Sequence, residues 1–258
     1  MKSFIMSFFY RCIVLEVLLV VLIFSTRTLA QQGTFAENGN IILFPVSYGI
    51  SVPVGDLAER FGVFSEAGVS IYRKTAKNWL WGAEGNYKFG TQVKEPGLAQ
   101  NLYTAQGTIS AIDGTPAEMA FEMRGGSLYF NVGHFFGYRP FSAWFVLGGV
   151  GFLQHQIYVN NQGRAIPQLE SPYSKGYDRL SNGLALQQSV GYMHLSSRNH
   201  LNFYLRLELE EAFTQNRRSF NYDTRTAETT GRFDMAICLK FAWVLPVYTG
   251  IRESDYYY

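Results

Sequence analysis

Cysteine is scarce in this chain, and long hydrophobic runs are missing after its N-terminus. The 258 residues include two cysteines, Cys12 and Cys238. Because Cys12 lies in a segment that export would remove, Cys238 would remain alone and no intramolecular disulfide could form. Beyond residue 30 no run of 18 or more apolar residues occurs, so the sequence predicts no further membrane helix. A membrane role for the remaining chain would therefore need β-strands.

An excess of charge of either sign is also missing. The formal net charge is +2, and the first 30 residues carry three bases (Lys2, Arg11 and Arg27) and one acid (Glu16), so their removal leaves a net charge of about zero. This balance gives no indication of a nucleic-acid partner. The sequence also lacks the His/Cys spacing of a metal site and the glycine loop of a phosphate site, so no cofactor is predicted.

The first 30 residues are typical of a secretory signal peptide. Lys2 and Arg11 provide a positive start, Cys12–Ser25 is mostly apolar, and Ala30 is a small residue at the expected cleavage position. A single membrane anchor is the alternative. A lipoprotein is not indicated, because the N-terminal cysteine precedes the apolar run. Cleavage would leave about 228 residues, enough for one domain.

The stretch Leu201–Phe213 alternates between apolar and polar residues. Strand side chains point to opposite faces with a period of two, so a strand here would have one apolar and one charged face. In water the charged face would point outward, whereas in an outer membrane the apolar face would contact lipid. A helix is the alternative, because Leu205, Leu209 and Ala212–Phe213 have helical spacing. That helix would leave Phe203 off its apolar stripe.

Seven other segments also have strand character, so the sequence predicts an eight-stranded, all-β protein. Among them, Gly231–Leu245 carries an unbroken apolar row at alternate positions, opposite Asp234 and Lys240. The segment Gly55–Gly62 is predicted to be a loop, although Asp56 could cap a helical turn. The predicted strands are Ile41–Val54, Phe64–Tyr72, Trp79–Phe89, Met119–Phe136, Ser142–Val159, Gly183–Leu195, Leu201–Phe213 and Gly231–Leu245.

The fourth predicted strand is less regular than the others. Glu122 and Arg124 share their parity with Leu128, which belongs to the apolar face. Either a bulge at Gly125–Gly126 shifts the parity, or the strand has already left the membrane at that point.

The connections between the predicted strands alternate in length, beginning with a medium one and then changing between short and long. Outer-membrane barrels have short periplasmic turns, longer outer loops and an even strand number, which leaves both termini in the periplasm. The sequence thus predicts an antiparallel, up-and-down transmembrane barrel over residues 31–248, followed by a periplasmic tail over 249–258. An aromatic girdle is predicted near the short turns, formed by Trp79, Trp81, Phe136, Phe141, Trp144 and Trp243.

A secreted lipocalin-like barrel or sandwich is the competing prediction, with the polar face in water and the large apolar residues inside. The polar face of the predicted strands, however, carries charges of both signs, and glycine and serine residues lie between them. Such a set is better suited to pairing with itself inside a wet lumen than to facing solvent. The predicted lumen ion network consists of Glu66, Glu84, Lys88, Arg206, Glu208, Glu210, Arg232, Asp234 and Lys240.

The pairing of the last two strands gives the most specific prediction about this network. If their hairpin closes near the predicted strand ends, Glu210 faces Arg232 and Glu208 faces Asp234. Opposed carboxylates repel each other unless a cation lies between them. Arg206 is expected to bridge the two carboxylates, because its planar guanidinium can bond both. Lys88 or Lys240 from elsewhere in the lumen is the alternative.

Four motifs resemble those of small Bacteroidota-type outer-membrane β-barrels of the porin-family or PorT-like kind. They are FPVSYGISVPVGDLAERFG (Phe44–Gly62), WGAEGNYKFG (Trp81–Gly90), KGYDRLSNG (Lys175–Gly183) and FAWVLPVY (Phe241–Tyr248). The resemblance covers the whole mature chain and implies an outer-membrane barrel of OmpA or OmpX size. It implies no substrate, and the tail that ends in Tyr256, Tyr257 and Tyr258 departs from barrels that finish on their last strand.

Catalysis is not expected from this sequence. A lipid-modifying hydrolase or acyltransferase would need a nucleophile and a histidine oriented by a carboxylate. His155 is the one histidine toward the predicted outer rim, and no acid or serine lies near it in sequence. An open pore is not expected either, because side chains fill the interior of eight-stranded barrels.

Three functions therefore remain open. The first is a non-catalytic envelope scaffold or a subunit of a secretion or assembly machine, the second a lipid-modifying enzyme, and the third a narrow channel or small-ligand binder. Expected partners are outer-membrane lipid, lipopolysaccharide and other envelope proteins. Outer-loop residues that could bind lipopolysaccharide phosphates or a protein are Arg164, Lys175, Tyr177, Asp178, Arg179, Arg217, Arg218 and Arg225.

Overall fold

The structure, a computed structural model, describes residues 40–248 apart from positions 106, 118, 140–141, 162–165 and 196–201. The predicted signal peptide and C-terminal tail lie outside these residues. The strands are β1 (Ile41–Gly55), β2 (Phe64–Lys74), β3 (Trp79–Gly90), β4 (Ile109–Ser110), β5 (Pro116–Ala117), β6 (Met119–Arg139), β7 (Ser142–Asn161), β8 (Ser181–His194), β9 (Phe203–Asn216) and β10 (Gly231–Tyr248).

Eight of these strands form a closed barrel in the order β1-β10-β9-β8-β7-β6-β3-β2, with every neighbouring pair antiparallel. The predicted eight-stranded, antiparallel up-and-down barrel is confirmed. β4 and β5 form a separate two-stranded sheet in the connection between β3 and β6. Among the described residues, no helix has both the length and the hydropathy required to cross a membrane.

The long connections contain more local structure than the sequence predicted. The segment predicted to be a loop after β1 contains the helix α1 (Asp56–Arg60), which follows Gly55 at a φ of 62°. Three short 3-10 turns lie at Gln100–Leu102, Pro167–Leu169 and Tyr173–Gly176.

The barrel wall is apolar outside and charged inside. On β9, Leu205 and Leu207 are 48% and 51% exposed, whereas Arg206 and Glu208 are 1% exposed. The same alternation follows β1 and β10, whose outward rows contain valine, isoleucine, leucine and aromatic residues. This is the polarity of a transmembrane barrel and the reverse of a lipocalin-like barrel in water. The competing prediction of a secreted barrel or sandwich is therefore wrong.

Two irregularities in the sequence have simple structural solutions. The register between β6 and β7 is continuous through Gly125 and Gly126, so no bulge lies there. Glu122 and Arg124 instead keep the outward parity of Leu128, on the part of β6 nearer the long connections. On β1, the pairing with β2 is interrupted at Phe44 and Pro45, where proline has no N–H to donate.

The lumen is filled in layers. An apolar cluster closes it near the short turns, with Leu43, Leu80, Phe145 and Tyr204 among its members. A second apolar cluster lies near the long connections and includes Phe61. Charged side chains occupy the space between these two clusters.

Candidate functional site

The charged side chains of the mid-lumen form one continuous chain of ion pairs. Lys88 lies 2.6 Å from Glu66 and 3.1 Å from Glu210. Lys240 contacts Glu66 at 2.6 Å and also approaches Glu84 and Glu208 at 2.8 and 3.1 Å. We call Glu66, Glu84, Lys88, Arg206, Glu208, Glu210 and Lys240 the lumen network.

Glu84 is the most highly coordinated carboxylate of the lumen network. Both of its oxygens accept hydrogen bonds from the Arg206 guanidinium, at 2.6 and 2.8 Å. Its Oε2 also accepts a 2.7 Å hydrogen bond from the Tyr72 hydroxyl, and its Oε1 accepts one from the Asn86 amide at 3.1 Å. Because burial of an unpaired charge is costly, these bonds explain how a fully buried carboxylate is tolerated.

The predicted pairing of β9 with β10 is wrong by four residues. Glu210 is opposite Ala236, and Glu208 is opposite Cys238. Arg206 does bridge two carboxylates, but they are Glu84 and Glu208, both at 2.6 Å. An even shift keeps every side chain on its face, so the charges stay inside while their partners change.

Arg232 and Asp234 lie outside the lumen network, in a layer nearer the long connections. Asp234 is fully buried and lies 2.8 Å from His155 Nε2, and the Thr214 hydroxyl also donates to it. Arg232 approaches the same carboxylate at 3.6 Å. The edge of the His155 ring contacts Phe61.

No acid lies near His155 in the sequence, as expected, but the fold brings Asp234 to it from 79 residues away. His155 faces the lumen because its position on β7 is inward, and Asp234 reaches it from β10. Both side chains are 0% exposed. A carboxylate thus orients this histidine, but the pair lies where a lipid substrate has no access.

A second group of buried charges lies among the long connections. Arg60 donates to Glu95 at 2.7 Å and to Glu228 at 3.1 Å. Arg179 donates to both oxygens of Asp223 at 2.7 Å and approaches Glu95 at 3.3 Å. These five residues, which we call the cap cluster, come from the β1–β2, β3–β6, β7–β8 and β9–β10 connections. Each of these four connections is therefore tied to the others.

The electrostatics around Glu228 favour the charged form of this carboxyl. Burial raises the pKa of Glu228, but the Arg60 guanidinium and a hydrogen bond from the Asn216 amide outweigh that effect. The pKa of Glu228 therefore lies below its ordinary value. Arg179 has a φ of 47°, a strained conformation for a non-glycine residue that its ion pairs help to hold.

The structure separates the predicted outer-loop residues into two groups. Tyr177 and Arg179 are buried, and Asp178 pairs with Arg218, so these four stabilise the loops and are not free to bind a partner. Lys175, Arg217 and Arg225 are exposed. Arg164 lies outside the described residues.

Sequence reasoning missed the two arginines that organise the cap. Arg60 lies in the segment predicted to be a loop, and no local pattern marks it as buried. Arg179 appeared to be a surface cation within the motif KGYDRLSNG. In both cases the acids lie in other connections, 35 to 168 residues away in sequence. Local alternation contains no signal for such pairs.

Comparison with protein-family models and with curated proteins finds no match. Among solved structures, the chain is similar to Neisserial surface protein A at 7% identity, covering 80% of this chain and 96% of that one, with a TM-score of 0.46. It is similar to Yersinia pestis Ail, in complex with the heparin analogue sucrose octasulfate, at 9% identity, 80% and 99% coverage and a TM-score of 0.40. It is also similar to OprG from Pseudomonas aeruginosa at 8% identity, covering 84% of this chain and 98% of that one, with a TM-score of 0.37.

These neighbours are small outer-membrane β-barrel proteins. The finer resemblance to Bacteroidota-type or PorT-like barrels stays a prediction. Because the identities and TM-scores are low, the function of this chain is inferred from its own residues.

Proposed function

We propose that this chain is an integral outer-membrane barrel that acts without catalysis, as an envelope scaffold or a subunit of a secretion or assembly machine. Its short turns and both termini face the periplasm, and its long connections face outward. The rigid surface made by those connections is the part that meets lipopolysaccharide or another envelope protein.

The observation that carries this proposal is a filled barrel under a cap of tied loops. The lumen network and the two apolar clusters occupy the interior, which leaves the outer wall and the cap as the working surfaces. The ion pairs of the cap cluster hold the connections together and so restrict their conformational freedom. Ordering these segments has an entropic cost. That cost is consistent with a surface that works in one fixed shape.

Location and folding are tested together on the full chain. Expressed with its N-terminal segment, the protein should fractionate with outer membranes and migrate differently on unheated and boiled SDS gels. Protease added outside intact cells should cut in the long connections, whereas a tag at the C-terminus should become accessible only after the outer membrane is opened. Recovery as a soluble periplasmic protein would overturn the proposal.

The two alternative functions have less support in the described residues. A lipid-modifying enzyme needs a histidine that is oriented by a carboxylate and that substrate can reach. Among the described residues, the histidine paired with a carboxylate is His155, which is fully buried. A channel or small-ligand binder needs lumen charges that are not paired with each other, whereas the seven charges of the lumen network form a connected set of ion pairs. No activity or conduction is therefore expected from the purified protein.

A further inference from the structure

The outer wall of the barrel carries a shallow, open, mostly apolar groove that crosses β1, β2, β3, β6 and β7. Its volume is about 660 Å³. Gly85 and Gly126 lie in the groove, where missing side chains leave the wall depressed between its neighbours. The exposed side chains of Val69, Tyr87 and Leu128 form its sides.

The shape of the groove follows from the pairing of these strands. Gly85 lies between Val69 of β2 and Leu128 of β6, and Gly126 lies between Tyr87 of β3 and Gln154 of β7. Two glycines on neighbouring strands thus make one continuous depression that runs toward the long connections. Because all of these positions face outward, its occupant comes from the membrane.

Polar and cationic side chains border the upper end of the groove. Gln154, which lines the groove, accepts a 3.5 Å hydrogen bond from the Asn182 amide. The oxygen of that amide accepts a 2.6 Å hydrogen bond from Arg217. On β6, the next outward position beyond Gly126 is Arg124, whose guanidinium lies over the Tyr158 ring and pairs with Glu122.

We propose that this groove binds one acyl chain of lipopolysaccharide, with a phosphate of the same molecule near Arg124 and Arg217. The apolar section suits a hydrocarbon chain. The two arginines and Glu122 leave one net positive charge at the headgroup end, and guanidinium groups bond phosphate in a bidentate manner. The proposal rests on the outer-membrane location and outward loops proposed above, because lipopolysaccharide lies in the outer leaflet.

The test is to fill the groove without disturbing the barrel. A Cβ at Gly85 would meet only Leu128 Cδ1, at 3.9 Å, so Gly85→Leu fits the wall and occupies the groove. Gly148 is the matched control, since it also faces outward, lies outside the groove, and a Cβ there meets nothing within 4 Å. Each full-length variant would be purified from outer membranes in mild detergent, checked for heat-modifiable migration, and analysed for bound lipid by native mass spectrometry.

Gly85→Leu is expected to retain about tenfold less lipopolysaccharide than the parent, which corresponds to losing the burial of about two methylene groups. Gly148→Leu should retain as much as the parent. Arg217→Ala should lower lipopolysaccharide retention without changing the retention of uncharged lipid. Refolded protein should prefer added lipopolysaccharide to phosphatidylglycerol.

Several results would overturn the inference. Equal retention by all variants, equal loss in Gly85→Leu and Gly148→Leu, or equal binding of both lipids would each exclude a specific site. Binding of a protein in the groove in place of lipid would also exclude the proposed lipid site. A folded, outer-membrane barrel with no retained lipopolysaccharide would exclude the groove site and leave the proposed function standing.

Discussion

At the scale of single residues, Arg206 pairs with two carboxylates of the lumen network at once. Its guanidinium lies 2.6 Å from both Glu84 and Glu208, and the side chain is 1% exposed. No other residue of the network touches both carboxylates except Lys240. The interior charges are thus stable only as a set, because each one is buried and depends on its neighbours.

Arg206→Ala should therefore lower the free energy of unfolding by roughly 3–5 kcal/mol, because two carboxylates would share the single cation Lys240. The matched control is Arg217→Ala on the outer wall, where a change within about 0.5 kcal/mol is expected. Urea unfolding in detergent micelles, followed by tryptophan fluorescence, measures both. A similar loss in the two variants would contradict the role given to the lumen network.

Glu228 makes the cap sensitive to acid. Because its pKa in the folded protein is below the ordinary value of 4.5, its ionised form contributes stability that is present at higher pH and is lost as pH falls through the folded pKa. Protease cleavage of the long connections should therefore rise below about pH 4.5. The long connections of the Glu228→Gln variant should be cleaved more readily at neutral pH. Their cleavage should also depend less on pH than in the parent protein. An unchanged profile in that variant would assign the acid sensitivity to another group.

At the scale of elements, close approach of strands explains the glycines of β8. A Cβ on Gly183 would lie 1.8 Å from the carbonyl oxygen of Phe213 and 2.9 Å from Thr214 Cα, both backbone atoms of β9. Neither atom can rotate away as a side chain could. Glycine is thus required here by the spacing between β8 and β9.

Gly183→Ala should force β9 away from β8 and reduce the fraction of protein that folds to the heat-modifiable form. Gly148→Ala is the control on the neighbouring strand β7, because a Cβ there has open space. The ratio of folded to unfolded bands on unheated SDS gels measures the effect. Equal folded fractions in both variants would show that the strands can separate without cost.

At the scale of the whole molecule, the layered interior predicts very low conduction. The apolar cluster near the short turns, the lumen network and the cap cluster lie one above another along the barrel. Protein reconstituted in planar bilayers should give no large, stable single-channel steps. Loosening the cap with Asp223→Asn should leave conduction unchanged, since the lumen stays filled below it. Large steps from the parent protein would contradict the filled interior.

The sequence by itself determined which segments are strands and which face of each strand is charged. Alternation with a period of two is a local property, so Leu205, Arg206 and Leu207 could be assigned to opposite faces without knowing their partners. The eight strands and the unequal lengths of their connections were likewise readable, and together they defined the barrel. Parity placed the lumen charges on one face of each strand, and the prediction of a membrane barrel made that face the inward one.

Only the tertiary structure decided which inward charges meet. Any even shift between two strands preserves the faces, and closure of the ring and the lengths of the hairpins select one shift among several. For this reason the sequence predicts Asp234 opposite Glu208, whereas the structure places Cys238 there. Arg206, as predicted, and Lys240 are the ion-pair partners of Glu208. The pairing of His155 with Asp234 was hidden for the same reason, because it joins strands that are far apart in the sequence and come together only when the barrel closes.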